Sequence, residues 1–342
     1  MRTILFVVSF LLLLSCGIQT GEIPFDTWQE ITPNKEAFYG KVFFISETDG
    51  WMLGTTRCVD SEDCTGWGSR VYSTTNSGNS WKETTISGTS HLLSGLYFFN
   101  SKRGIVSKAS IWETQNGGES WEVKTPAFLG RRYSDFDFSS DSIGWAAGKT
   151  TNSNGAIITK TINGGATWNE LTNTQNPDAN YRAISSPSNQ VLYAAGSQQI
   201  SGSGFSGIII KTENGGDSWE ELSLPDDFPG ILNDVEFIDE SYGWVVSSFR
   251  TIYKTADGGD TWEKQNLKES SDAIYSIDAI DYSHAVAVTS DGAILVTKDG
   301  GANWEEQVEA GSYPQLGKVF YHKSGFAYAT GNGIVLRARL SQ

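Results

Sequence analysis

Residues Thr161-Ile162-Asn163-Gly164-Gly165-Ala166-Thr167-Trp168 form a tight-turn signature that occurs six times in this 342-residue chain. The other copies are TTNSGNSW ending at Trp81, TQNGGESW at Trp121, TENGGDSW at Trp219, TADGGDTW at Trp262 and TKDGGANW at Trp304. A further tryptophan, Trp28 in TWQEI, has the strand-like run that follows the turn but no turn before it. Consecutive members of this set lie 53, 40, 47, 51, 43 and 42 residues apart. A period of that size means one supersecondary unit repeated along the chain. Within a unit, YSDFDFSS (133–140), IGWAAG (143–148), AIITKT (156–161) and TWNEL (167–171) read as four short strands bounded by Gly, Asn and Ser. Four strands per period is one propeller blade.

The box has a local logic. Its Thr and the Asn or Asp two residues later can hydrogen-bond nearby backbone and hold a turn, while the glycines suit positive φ. The structural tryptophans Trp28, Trp81, Trp121, Trp168, Trp219, Trp262 and Trp304 fall on outer strands, where their rings fill space within or between blades. The first strands align seven times and share an apolar middle position: Val42, Leu96, Phe136, Ile184, Val235, Ile277 and Val319. That column is expected inside the blades. After Trp304 the chain supplies three more strands, LGKVFY, GFAYATG and GIVLRAR, and the TWQEI strand is their missing fourth. The expected fold is all-β: a seven-bladed propeller over 25–342, closed by an N-terminal strand that completes the C-terminal blade and leaves no open edge. A six-bladed ring with loose ends is the alternative.

Residues 1–15 carry one Arg and an apolar run, Ile4 to Leu14, too short to span a bilayer. They read as a secretory signal, with 16–24 a short tether. Leu13-Leu14-Ser15-Cys16 resembles a bacterial lipobox, which makes Cys16 a lipidation site and places the chain in the envelope. Gly17 in place of Asp favours the outer membrane. Cys58 and Cys64, in an exported chain, are expected to form a disulfide that pins one loop. Without residues 1–15 the chain has 24 basic and 40 acidic side chains, an argument against nucleic-acid binding.

Turns between strands one and two and between strands three and four share one face, so the boxes mark it. Long variable segments, including 55–69, 125–132, 149–155, 172–180 and 197–206, fall on the opposite face, where binding residues are expected. Trp67, Arg131, Arg132, Tyr133, Tyr181, Arg182, Phe205 and Arg250 gather there, and Arg and large aromatics are enriched in binding hot spots. No HExxH or other metal-ligand spacing involves His91, His284 or His322, and no G-x-S-x-G elbow occurs. No metal, cofactor or catalytic constellation is expected. Asp135, Asp137, Asp234, Glu236 and Asp278 sit on first strands and line a central channel, which keeps a glycosidase-like pair open.

The boxes, with the second strands DGWMLG, IGWAAG and YGWVVS around Trp51, Trp145 and Trp244, resemble the propeller family of the photosystem II assembly and stability factor. The resemblance implies a non-catalytic protein that binds a partner or a membrane-protein assembly intermediate through a basic face. Asp-box sialidases share the turn, but their Arg-Ile-Pro motif is absent here. The alternative is a carbohydrate-active propeller, glycan-binding or glycosidase-like, with Trp67, Phe205 and Tyr181 stacking on sugar rings.

Overall fold

The computed structural model describes residues 24–57, 67–86, 93–125, 131–150, 155–171, 176, 178–200, 204–226 and 228–342. The signal segment, Cys16, Cys58, Cys64 and the side chain of Trp67 lie outside them. The described chain forms seven four-stranded antiparallel sheets. Blades 1 to 7 are numbered by their innermost strands: Phe38–Phe44, Gly95–Phe98, Arg131–Phe138, Ala179–Ser185, Leu232–Phe237, Ile274–Ala279 and Leu316–Tyr321. These strands pack against those of neighbouring blades around a central axis.

The ring closes as expected. Gln29–Glu30 is the outer strand of blade 7, with Gln29 opposite Arg337 and Glu30 opposite Leu336. Only two residues pair, so side chains reinforce the join. Trp28 Nε1 donates to Gln307 Oε1 at 3.1 Å, and Asp26 pairs with Lys298 at 2.9 Å and accepts from the Ser341 hydroxyl at 2.7 Å. The aligned column from Val42 to Val319 is buried throughout. Among the box tryptophans Trp168 is buried and the others are half-buried. Within their own blades, Trp81, Trp121, Trp168 and Trp262 meet Phe44, Phe98, Phe138 and Phe237 edge-on.

Each box is a small hydrogen-bonded cage. In blade 3, Thr161 Oγ1 donates to Asn163 Oδ1 and accepts from the amides of Asn163 and Gly165, while Asn163 Oδ1 accepts the Thr167 amide at 2.9 Å. Gly164 and Gly165 have φ of 64° and 88°, the left-handed region that excludes most side chains. The same bonds recur around Thr74, Thr114, Thr212, Thr255 and Thr297. In blade 5 the hydroxyl and amide of Thr261 hold the Asp257 carboxyl down at about 2.

The turn also carries a function not visible in one repeat. Its first Gly-position carbonyl accepts a hydrogen bond from the preceding blade each time. The donors are Arg337 to Ser77, Trp51 to Gly117, Arg103 to Gly164, Lys160 to Gly215, Tyr193 to Gly258 and Lys254 to Gly300. The box is therefore both a turn and a clasp between blades.

Thr161→Val keeps the shape of this buried residue but strands the Gly165 amide. We expect a loss of about 1–3 kcal/mol, the cost of an unsatisfied buried donor, read as a lower thermal midpoint. Truncation through Glu30 should leave Ile334–Arg339 as an unpaired edge and produce association in sedimentation velocity.

Candidate functional site: the long-loop face and the axial channel

Six of the seven inner strands share an irregularity that builds the site. Register slips between Tyr39 and Val42, Tyr133 and Asp135, Tyr181 and Ala183, Leu232 and Asp234, Ile274 and Ser276, and Leu316 and Lys318. A bulge lets two residues oppose one, so side chains on either side of it switch faces. The residues before the slip, including Tyr133, Tyr181, Leu232, Ile274 and Leu316, are buried in the blades. The bulged residues Ser134, Arg182, Asn233, Tyr275 and Gly317 instead line one cavity at the axial mouth. The partner strand must come close at this point. A Cβ on Gly148 would meet the Arg132 carbonyl oxygen at 2.1 Å, and one on Gly196 the Asn180 carbonyl oxygen at 2.0 Å.

This placement corrects part of the expected binding surface. Tyr133 and Tyr181 are core residues whose rings do not reach the face, because the bulge breaks the alternation counted back from Phe136 and Ile184. Burial raises both phenol pKa values. Arg250 is also buried, at a φ of 41°, and bonds Asp291 at 3.4 Å and Glu306 at 2.5 Å. It is an internal tie, not a surface cation. Arg131 is paired with Glu170.

What the face does present is a basic stripe. Arg132 lies opposite Lys149 across two strands of blade 3, and both are exposed. Lys108 of blade 2 adjoins them: burial, and then Arg132, lower its pKa. Arg182 and Lys149 share a cavity of about 290 Å³ with Asn180, Ser197, Phe205 and Asp178. Phe205 stands on the long hairpin of blade 4 and is 64% exposed. Arg182 donates to Asn233 Oδ1 at 3.3 Å, but its buried Nε has no partner among the described residues. Burial lowers its pKa, so the site disfavours its charge until an acceptor arrives.

Below the mouth lies a channel of about 190 Å³. All five expected acids, Asp135, Asp137, Asp234, Glu236 and Asp278, line it, together with Lys41 and Lys318. Most of them stitch blade to blade. Asp137 accepts the amide and hydroxyl of Ser186, both at 2.8 Å; Asp234 accepts the Ser276 hydroxyl at 2.6 Å; Asp278 accepts the Tyr321 amide at 2.8 Å. Lys41 reaches Asp135 at 2.5 Å, and Lys318 lies 3.6 Å from Asp234. Burial opposes the charge on Lys41, but Asp135 more than offsets it and holds its pKa up. Glu236 is different. Burial, reinforced by Asp278, Asp137 and Asp234, pushes its carboxyl well above the usual range, and burial also lifts Asp278 to about 7.

A raised carboxyl pKa means the folded state holds its proton more tightly than the unfolded chain does. The resulting stabilisation is present at low pH and is lost as pH rises from the unfolded value toward the folded one. Glu236→Gln should therefore raise the thermal midpoint at pH 8 and leave it unchanged near pH 4. Chemical denaturation should separate the two arginines: Arg250→Ala costs about 3 kcal/mol because it abandons two carboxylates, whereas Arg182→Ala costs about 1 kcal/mol or less.

Residues 227–305 match the family model described as "Photosynthesis system II assembly factor YCF48". No curated protein sequence matches the chain. Among solved structures, "YCF48 bound to D1 peptide" superposes with a TM-score of 0.70 at 19% identity, over 94% of this chain and 98% of that one. YCF48 from Cyanidioschyzon merolae gives 0.66 at 15% identity over 91% and 98%, and the WD40 propeller domain of Doa1 gives 0.66 at 12% over 92% and 99%. At such identities the superpositions establish the fold, which many functions share. The chain is a seven-bladed propeller that resembles the YCF48 family, in whole-chain architecture and in the sequence of residues 227–305.

Proposed function

We propose that this chain is a non-catalytic envelope lipoprotein that holds a protein partner, such as a membrane-protein assembly intermediate, on its long-loop face. One observation carries the reading: Lys108, Arg132, Lys149 and Arg182 form a basic stripe beside exposed Phe205 on a chain whose net charge is −15. Against that background a local cationic surface selects acidic segments, and an adjacent exposed ring supplies an apolar anchor. The half-buried Arg182, with donors to spare, suits a carboxylate better than water does. A YCF48 has been solved with a D1 peptide, a precedent for a peptide on this type of propeller. The anchor rests on Leu13-Leu14-Ser15-Cys16. The chain enters the ring beside Arg339 and Ser341, at the end of blade 7 that lies on the same face as the boxes of the other blades. The long loops lie on the opposite face from this point of entry.

The carbohydrate reading loses one of its expected stacking rings. Tyr181 is buried in blade 4, whereas Phe205 stands on the surface.

Crosslinking and pull-down from native envelopes test the proposal, with Arg132→Glu/Arg182→Glu as the variant. The double variant should melt within a few degrees of wild type and lose partner recovery by about tenfold or more, the scale expected for hot-spot charges. Equal recovery by the folded variant contradicts the assignment.

A further inference from the structure

The channel has two unlike walls at one level. Phe43, Tyr97 and Phe320, from blades 1, 2 and 7, form an aromatic arc with centroid separations of 5.0 Å and 5.5 Å. Asp137, Glu236 and Asp278, from blades 3, 5 and 6, line the same cavity. The register explains the division: Phe43, Asp137, Glu236, Asp278 and Phe320 stand two residues past Lys41, Asp135, Asp234, Ser276 and Lys318, which border the register slips and line the same cavity, and Tyr97 holds the matching position next to Leu96 in the unslipped strand of blade 2. The lysines are engaged one layer nearer the mouth, Lys41 with Asp135 and Lys318 with Asp234. Asp137 and Asp278 accept backbone amides, but Glu236 has no hydrogen-bond or ion-pair partner among the described residues. The cavity, about 190 Å³, holds far more than the single water that 10–15 Å³ admits.

We propose that this channel binds a small organic ammonium ion, with the aromatic arc against its alkyl groups and Glu236 as its principal counter-charge. The proposal goes beyond the partner-binding reading and does not depend on it. Aromatic faces attract diffuse cations through their quadrupole and suit quaternary ammonium groups. A hard divalent ion requires convergent oxygen ligands. Among the described residues no group of three or more His, Cys, Asp or Glu is arranged to hold a metal.

The site is also proton-linked. Glu236 faces Asp234 on its own blade, Asp278 of blade 6, Asp135 and Asp137 of blade 3, Lys41 of blade 1, Lys318 of blade 7 and the Tyr97 phenol of blade 2. Burial, reinforced by the crowding of like charge, keeps a proton in the channel near neutrality, and a bound cation displaces it. Affinity therefore rises with pH through about 7, where Asp278 titrates.

Isothermal titration of the purified full chain with choline tests the site. Wild type should bind choline about tenfold more tightly at pH 8 than at pH 6, with proton release seen as a heat difference between buffers of unlike ionisation enthalpy. Glu236→Gln and Tyr97→Leu should each weaken binding by about tenfold or more. Folding of Glu236→Gln is checked by its thermal midpoint, and sodium at equal ionic strength should not compete. The proposal is overturned by any of four results: no heat up to roughly 10 mM choline, pH-independent affinity, equally tight binding of the neutral isostere 3,3-dimethylbutanol, or unchanged affinity in Glu236→Gln.

Discussion

The contact on which the rest of this structure depends is a single peptide carbonyl in each box. Two consecutive residues at positive φ, Gly164 and Gly165 in blade 3, turn that carbonyl out of the hairpin and toward the preceding blade. A cation, indole or phenol from that blade then donates to it. Because the same geometry recurs in six blades, the angle between blades is set at every junction that has a box. Blade 7 has none. Its fourth strand comes from the N-terminus, and the junction with blade 6 relies on Trp28 and Asp26 instead. Local turn chemistry thus becomes ring geometry, and the box face is occupied by structural bonds.

Two further layers follow from the clasp. At mid-radius, a second-strand aromatic of one blade stacks on the first-strand Phe of the next: Trp51 on Phe98 at 3.6 Å, Tyr193 on Phe237 at 3.5 Å and Tyr328 on Phe44 at 3.9 Å. At the axis, carboxylates take over the stitching through neighbouring amides and hydroxyls. Gathering acids in a narrow channel opposes folding at high pH, and Lys41 and Lys318 offset only part of it. The long-loop face, which the clasps do not use, is left for the bulged Arg182 and the basic stripe.

Much of this was legible in the residues. The box spacing carries the blade count, the apolar column from Val42 to Val319 carries the core, and the chain ends carry the closure, because each rests on a periodicity that survives folding. The surface was harder to read. Strict alternation from Phe136 places Tyr133 outward beside Asp135, and the bulge reverses it. The signal available was the Gly inside the second strand, Gly148 or Gly196, which admits the bulged backbone opposite. The ion pairs of Arg250 and Arg131 escape a local reading for another reason: their carboxylate partners, Asp291, Glu306 and Glu170, are 41, 56 and 39 positions away in the chain. The split of the channel into aromatic and acidic arcs depends on which blades are adjacent, and no single repeat contains it.

The account divides the molecule into a structural box face and a recognition face. Crosslinking mass spectrometry on the intact chain in its native envelope, with an amine-reactive reagent, measures that division directly. Partner crosslinks should map to the exposed Lys149 and Lys268 on the long-loop face and be absent from the exposed Lys102 and Lys323 on the box face. Crosslinks concentrated on Lys102 and Lys323, with Lys149 and Lys268 silent, would contradict it.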